Sequence, residues 1–239
     1  MAAAPANAAE LNVIAAGAVR GIIAGMIDDY SRQNGLKINL IVGPTGMLRD
    51  AIASGKPADL LIVAAPLMTD IEKSGAIVPQ SRVDLGRVGM GVVVREGSPL
   101  PDISTPEAIK QALLKANVIA YTDPKLGGTS VLHLMKIAEE FGIRDEVVRK
   151  GLISTGGNDA AAKVADGKAD IAIVPITDIH AKDAKVVGPL PEPIQHSTIY
   201  AAAIPKSSVD PAGGRAFLAA LTAPAMRDRW IKAGWRPAQ

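Results

Sequence analysis

Four short segments place glycine with hydroxyl or amide side chains where an apolar run gives way to a helical pattern. They are "AAGAVRG" (15–21), "VGPTGML" (42–48), "DPKLGGTSVL" (123–132) and "STGGNDAAA" (154–162). Glycine allows close backbone approach, Thr45, Ser130 and Asn158 are of types that cap helices, and the first N–H groups of any helix lack partners within it. The chemistry this favours is anion capture. Each helix start favours negative charge by roughly 0.3 to 1 kcal/mol, and several converging starts replace an anion's hydration. One such loop reads equally as an ordinary helix cap. Four of them, gathered at one edge of parallel sheets, read as a ligand cradle. Arg20, in the first turn of its helix and off the apolar stripe, offers a planar donor fork to a carboxylate or oxyanion, with a surface salt bridge as the alternative.

Other chemistries lack their residues. "VGPTGML" has no lysine where a nucleotide phosphate loop needs one, "SGKPAD" (54–59) follows Gly-Lys with proline, and "VGMGVVV" (88–94) has no third glycine and no helix after it. His133, His180 and His196 are far apart in sequence, carboxylates do not cluster with them, and there are no cysteines, so neither a metal nor a cofactor is expected. No G-x-S-x-G elbow is present. Ser130 and His133, three apart on one predicted helix, could bring an imidazole under the third loop, although a solvated helix histidine has the same spacing. If the chain is an enzyme, His133, Asp159 or a lysine is the expected acid–base group. Aromatics make up 3% of the chain, and Trp230 and Trp235 are expected in the last helix as packing anchors, which disfavours a stacked sugar ligand.

The elements that must position these loops alternate in type. Short runs rich in β-branched residues, at 11–16, 37–42, 60–65, 88–94, 117–121, 170–174, 185–188 and 198–204, read as buried strands. Between them lie helical stripes, clearest in Val19, Ile22, Ile23, Met26, Ile27 and Tyr30 and in Val131, Leu134, Ala138 and Phe141. Strands alternating with helices imply α/β architecture with largely parallel sheets, and right-handed crossovers put every strand-to-helix loop at the same sheet edge. The strands near 88–97 and 198–205 suggest two crossings between two lobes. The 239 residues carry 26 Lys plus Arg against 24 Asp plus Glu, too even a balance for a nucleic-acid footprint. No apolar run approaches the ~20 residues of a membrane span. The start "MAAAPANAAE" reads as the flexible remnant of a cleaved export signal, covering 1–9, which implies a periplasmic protein, although a flexible tail of a cytoplasmic protein has the same composition.

Nearly the whole chain resembles the periplasmic molybdate-binding protein family. The resemblance is carried by "LNVIAAGAV", "GPTGMLRDAIASGKPADLLIVAA", "AYTDPKLGGTSVLHLMKIAEEFG", "VADGKADIAIVPITDI" and the closing "FLAALTAPAMRDRWIKAGW". Its most specific parts are the block from Gly55 to Ile62 and the Asp-Pro ahead of a Gly-rich helix start. It implies the two-lobed type II periplasmic-binding-protein fold, with 10–86 plus 203–239 as lobe one, 87–202 as lobe two and the ligand cleft between them. It also implies a monomer that closes over a small anion and serves an ABC-transporter permease. Carried over by position, the family's first-loop serine falls at Ala18, its second-loop serine at Thr45 beside Gly46, and its third-loop donor near Gly128 and Thr129. The fourth falls near Gly157 or Asn158 and the tyrosine at Pro175, so two side-chain donors are missing. Arg20, the Thr129-Ser130 pair, Asn158 and Asp159 suit separated carboxylates, which points to a di- or tricarboxylate in preference to molybdate. Aconitate isomerase resembles the same family, so proton transfer in an unsaturated tricarboxylate is the alternative function. The effector domain of a regulator ranks behind both, since no helix-turn-helix segment accompanies the fold.

Overall fold

The β-branched runs do form strands, and the segments between them wind into helices that cover both faces of the sheet. The structure, a computed structural model, describes residues 9–238. The remnant expected at 1–9 therefore lies outside the described residues, except that the backbone of Ala9 opens the first strand.

The first lobe begins with β1 (Ala9–Ala16), α1 (Arg20–Asn34), β2 (Leu36–Gly43), α2 (Thr45–Ala53), β3 (Leu60–Ala64) and α3 (Ala65–Lys73). β1 pairs in parallel with both β2 and β3, and all five residues of β3 are buried, as a central strand covered on both faces requires. The long strand β4 (Val83–Arg95) leads out of this lobe. Beyond it come α4 (Pro106–Lys115), β5 (Ile119–Thr122), α5 (Thr129–Glu140), α6 (Arg144–Arg149), β6 (Gly151–Ser154), α7 (Gly157–Ala165), β7 (Ile171–Pro175) and β8 (Ala184–Pro189). β9 (Ser197–Ala203) returns, and α8 (Pro211–Thr222) and α9 (Arg227–Lys232) close the chain. Trp235 follows α9 rather than lying within it, and it packs edge-on against Trp230 with ring centroids 4.6 Å apart.

Among the described residues the strands form one curled sheet in the order β2-β1-β3-β9-β4-β7-β5-β6, with β8 also on β4. β4 carries the crossing: Val83 to Gly89 pair with β9, and Met90 to Val93 pair with β7. Buried apolar side chains divide accordingly. One cluster draws on residues between Leu11 and Val88 and between Tyr200 and Trp235, and two others draw on residues between Met90 and Ile194. The Gln195 side chain binds the crossings together, accepting from Met90 N at 2.9 Å and donating to Met90 O at 3.1 Å.

One buried carboxylate fixes the first lobe. Asp59, just ahead of β3, accepts from Asn12 N at 2.8 Å, Ser208 Oγ at 2.8 Å and the Val209 and Asp210 amides at 3.1 and 3.0 Å. It thereby joins β1 and β3 to the start of α8. This accounts for the acidic residue in the Gly55–Ile62 block as a structural partner rather than a ligand group. No helix among the described residues is long and apolar enough to cross a membrane.

Candidate functional site

The carboxyl ends of β1, β2, β5, β6 and β7 deliver their loops to one cavity of about 380 Å³ between the two halves of the sheet. Parallel strands in α/β sheets bind ligands at this edge, because the helix starts that follow point their free N–H groups there. α1, α2, α5 and α7 all begin on the cavity wall, preceded by Val19, Pro44, Gly128 and Gly156. None of the four has a side-chain cap, whereas Thr105 and Asp210 cap α4 and α8. Thr45, Ser130 and Asn158, whose types suited them to capping, instead sit inside the first turn of their helices. The leading amides of α2, α5 and α7 are left for whatever enters the cavity, whereas α1 runs on from a 3-10 turn at Gly17–Val19 and its Arg20 N–H already donates to the Gly17 carbonyl, so the first loop offers the amides of that turn.

Most residues singled out in the sequence line this space. Ala18 and Arg20 do so from the first loop, Thr45 from the second, Gly128, Thr129 and Ser130 from the third, Asn158 and Asp159 from the fourth, and Pro175 from the end of β7. Arg20 makes no salt bridge among the described residues, so its guanidinium is available. Gly46 is placed differently. A Cβ there would lie 2.4 Å from the Leu126 carbonyl oxygen, so Gly46 is where α2 meets the Pro124–Leu126 turn of the other half.

Asp159 and His133 fare badly as acid–base candidates. Asp159 Oδ2 accepts from Thr155 N at 2.8 Å and from Lys163 Nζ at 3.0 Å. Burial pushes this carboxyl up, but the Thr155 amide and the Lys163 ammonium outweigh it and hold the group below the ordinary carboxylate range. A carboxylate so committed is a weak base. His133 lies outside the cavity: its Nε2 contacts the Ile194 carbonyl at 2.7 Å and its ring stacks on His196 at 5.0 Å, in a separate depression over α5.

Two cavity residues escaped the sequence analysis. Asp178, in the turn after β7, is 6% exposed, and its Oδ1 has no hydrogen-bond partner. Burial pushes its carboxyl up to about 7, with the Arg20 charge pulling against the shift. Tyr200, on β9, is 4% exposed and also lines the cavity, backed by Trp235 with ring centroids 5.4 Å apart. Burial and the Asp178 charge push its phenol above the ordinary range, with Thr129 and Thr198 opposing. A phenol therefore faces the cavity from β9, although Pro175 occupies the position aligned with the family tyrosine. The available signal was an acidic residue three positions past an apolar strand, and a lone phenol in the apolar run at 198–204. No cluster of three metal-ligating side chains occurs among the described residues.

The cavity wall brings together helix-start amides, a guanidinium without an ion pair among the described residues, and a buried carboxyl. Comparison with known proteins places it in context. Residues 11–236 match the pattern of the family described as bacterial extracellular solute-binding protein. An aconitate isomerase from Pseudomonas sp. is 27% identical over 217 residues, covering 87% of this chain and 80% of the relative. The periplasmic molybdate-binding protein of Azotobacter vinelandii superposes with a TM-score of 0.78 at 20% identity, over 96% of this chain and all of the other. The sulfate-binding protein SubI of Mycobacterium tuberculosis superposes with a TM-score of 0.73 at 17% identity, over 97% of this chain and 88% of the other. These two structural likenesses establish the two-lobed type II fold.

Proposed function

The chain belongs to the bacterial extracellular solute-binding protein family, and on that premise we propose that it is a periplasmic receptor for a small organic anion, a di- or tricarboxylate in preference to molybdate or sulfate. One observation carries the reading: four helix starts without side-chain caps converge on a single cavity that also holds the unpaired Arg20. The amides supply multiple donors at no reorganisation cost, and the guanidinium supplies a bidentate fork that matches a carboxylate. Ala18 contributes no hydroxyl where the family's first-loop serine would donate one, and a lone pair left without a donor on a compact oxyanion costs about 1 to 3 kcal/mol. Lobe one, taken as 10–86 plus 203–239, would close on lobe two, 87–202, around the ligand, and the closed form would be handed to an ABC-transporter permease.

The test is calorimetric titration with citrate, trans-aconitate, succinate, sulfate and molybdate. A tricarboxylate is expected to bind, and Arg20→Ala should weaken it by about 1.5 to 3 kcal/mol, or roughly ten- to a hundred-fold. Unchanged affinity in Arg20→Ala would remove the guanidinium from the site.

Asp178 favours a second reading, an isomerase akin to the aconitate isomerase relative. A carboxyl near neutrality on the cavity wall is matched to proton transfer. Its carboxylate would take an allylic C–H proton from an unsaturated tricarboxylate, helix-start amides and Arg20 would stabilise the resulting dienolate, and the acid would return the proton at the other end of the allyl unit. NMR of cis-aconitate with the protein in D2O decides between them: interconversion with deuterium incorporation supports the enzyme, and binding without exchange supports the receptor.

A further inference from the structure

We infer that Asp178 and the bound anion share one proton, so that the cleft selects organic anions bearing a hydroxyl or acid hydrogen over anions that bear none. This rests on the receptor reading above and names its ligand class.

The geometry begins with two glycines. A Cβ on Gly157 would lie 2.3 Å from Asp178 Oδ2, and one on Gly17 would lie 3.7 Å from both carboxyl oxygens. The carboxyl thus lies against the first and fourth loops, on a wall made by two of the helix starts that favour negative charge. Its Oδ1 is buried without a partner. The carboxyl as a whole lines the cavity with neither oxygen hydrogen-bonded among the described residues, and a buried polar group so placed costs free energy until something in the cavity supplies its hydrogen bond. Four titratable groups line the same cavity or lie next to Asp178 in the chain. Arg20 on α1 acts on it through its charge, and Tyr200 on β9 feels its charge in turn. Asp159 in the first turn of α7 is already held by Thr155 and Lys163. His180, two residues on, packs against Gly21 and is kept below the ordinary imidazole range by burial and by Arg20. None of these is hydrogen-bonded to the free oxygen.

An anion cradle with a carboxyl in its wall has two workable states. In one, Asp178 is protonated and donates its O–H to the ligand. In the other, it is ionised and accepts an O–H from the ligand. An anion with no hydrogen to give can occupy only the first state, so it must bind together with a proton from solvent whenever Asp178 is ionised. A hydroxy acid can occupy both. Burial keeps the two protonation states close in free energy around neutral pH, so the choice falls to the ligand.

Citrate and tricarballylate, which differ by a single hydroxyl, form the test pair. Their affinities should be measured by titration calorimetry between about pH 7 and 9, where both are fully ionised, in buffers of different ionisation enthalpy. Tricarballylate is expected to weaken with rising pH, approaching about tenfold per pH unit and the uptake of one proton above about pH 8, the linkage for a single group that must be protonated. Citrate should weaken less than about threefold over the same range. Asp178→Asn, whose amide donates like the neutral acid, should abolish the tricarballylate slope, whereas Tyr200→Phe should leave it. Equal slopes for the two ligands, or a slope that survives in Asp178→Asn, would overturn the inference. If Asp178→Asn does not fold, the wild-type pair still decides. Failure of either tricarboxylate to bind at any pH would take down the receptor reading, and this inference with it, whereas equal slopes overturn the inference alone.

Discussion

Asp178 and Asp59 are both buried carboxyls, and their surroundings give them opposite pH signatures. Asp59 is buried too, which raises its pKa, but the amides and hydroxyl that converge on it outweigh burial and hold it below the ordinary value of 3.8. Its stabilisation is present above that value and lost as pH falls through the folded pKa. Asp178 has no such donors, and its carboxyl rises from 3.8 to about 7. Between those values the folded chain holds a proton that the unfolded chain releases, so stability falls as pH rises, and above about 7 the penalty is complete. Asp178→Asn should therefore stabilise the unliganded protein at pH 8 by up to about 4 kcal/mol and leave it nearly unchanged at pH 3.5. Asp59→Asn should cost about 3 kcal/mol or more at pH 8. Denaturant unfolding at the two pH values checks both. At this scale the sequence was legible where residue types repeat, as the glycines and hydroxyls of four loops do. Asp178 and Tyr200 stayed hidden because each is a single polar group attached to an apolar strand, and only tertiary folding turns it toward the cavity.

The elements explain why the loops converge. Each of β1, β2, β5 and β6 ends at the same sheet edge, and each following helix begins there without a side-chain cap. Gly46 and Gly127 mark where two of these pieces touch: Gly127 takes φ +61°, turning the chain so that the Leu126 carbonyl rests on Gly46. A methyl at Gly46 would meet a backbone oxygen at 2.4 Å, and no rotamer change relieves that contact. Gly46→Ala should weaken ligand binding tenfold or more by holding α2 away from the turn, while the melting temperature of the unliganded protein stays within a few degrees of wild type. Titration calorimetry and thermal unfolding read the two effects separately. Element types were legible wherever a β-branched run or an apolar stripe extended over several residues. β6 was not among the strands picked out, since it has four residues, lies at the sheet edge and leaves Ile153 47% exposed, so no apolar run announces it. Trp235 is expected inside the last helix, but α9 ends at Lys232.

The whole molecule is two halves of one curled sheet joined through β4 and β9, with its cavity at the junction. This architecture was legible because strict alternation of strand and helix leaves few arrangements once right-handed crossovers are imposed. The pairing at the crossing was not, since the apolar run marks only 88–94 whereas β4 starts at Val83, and the partners change within it, from β9 up to Gly89 to β7 from Met90. The ligand is where sequence, fold and site diverge most. The resemblance points to molybdate, the fold accommodates many anions, and the cavity combines a free guanidinium with an ionisable wall. A competition titration at pH 7 tests this most directly: trans-aconitate is titrated calorimetrically into the protein alone and into the protein in the presence of excess molybdate. The account predicts the same binding heat and affinity in both, because molybdate does not occupy the cleft. Loss of the trans-aconitate signal in molybdate, or binding of molybdate alone, would contradict it.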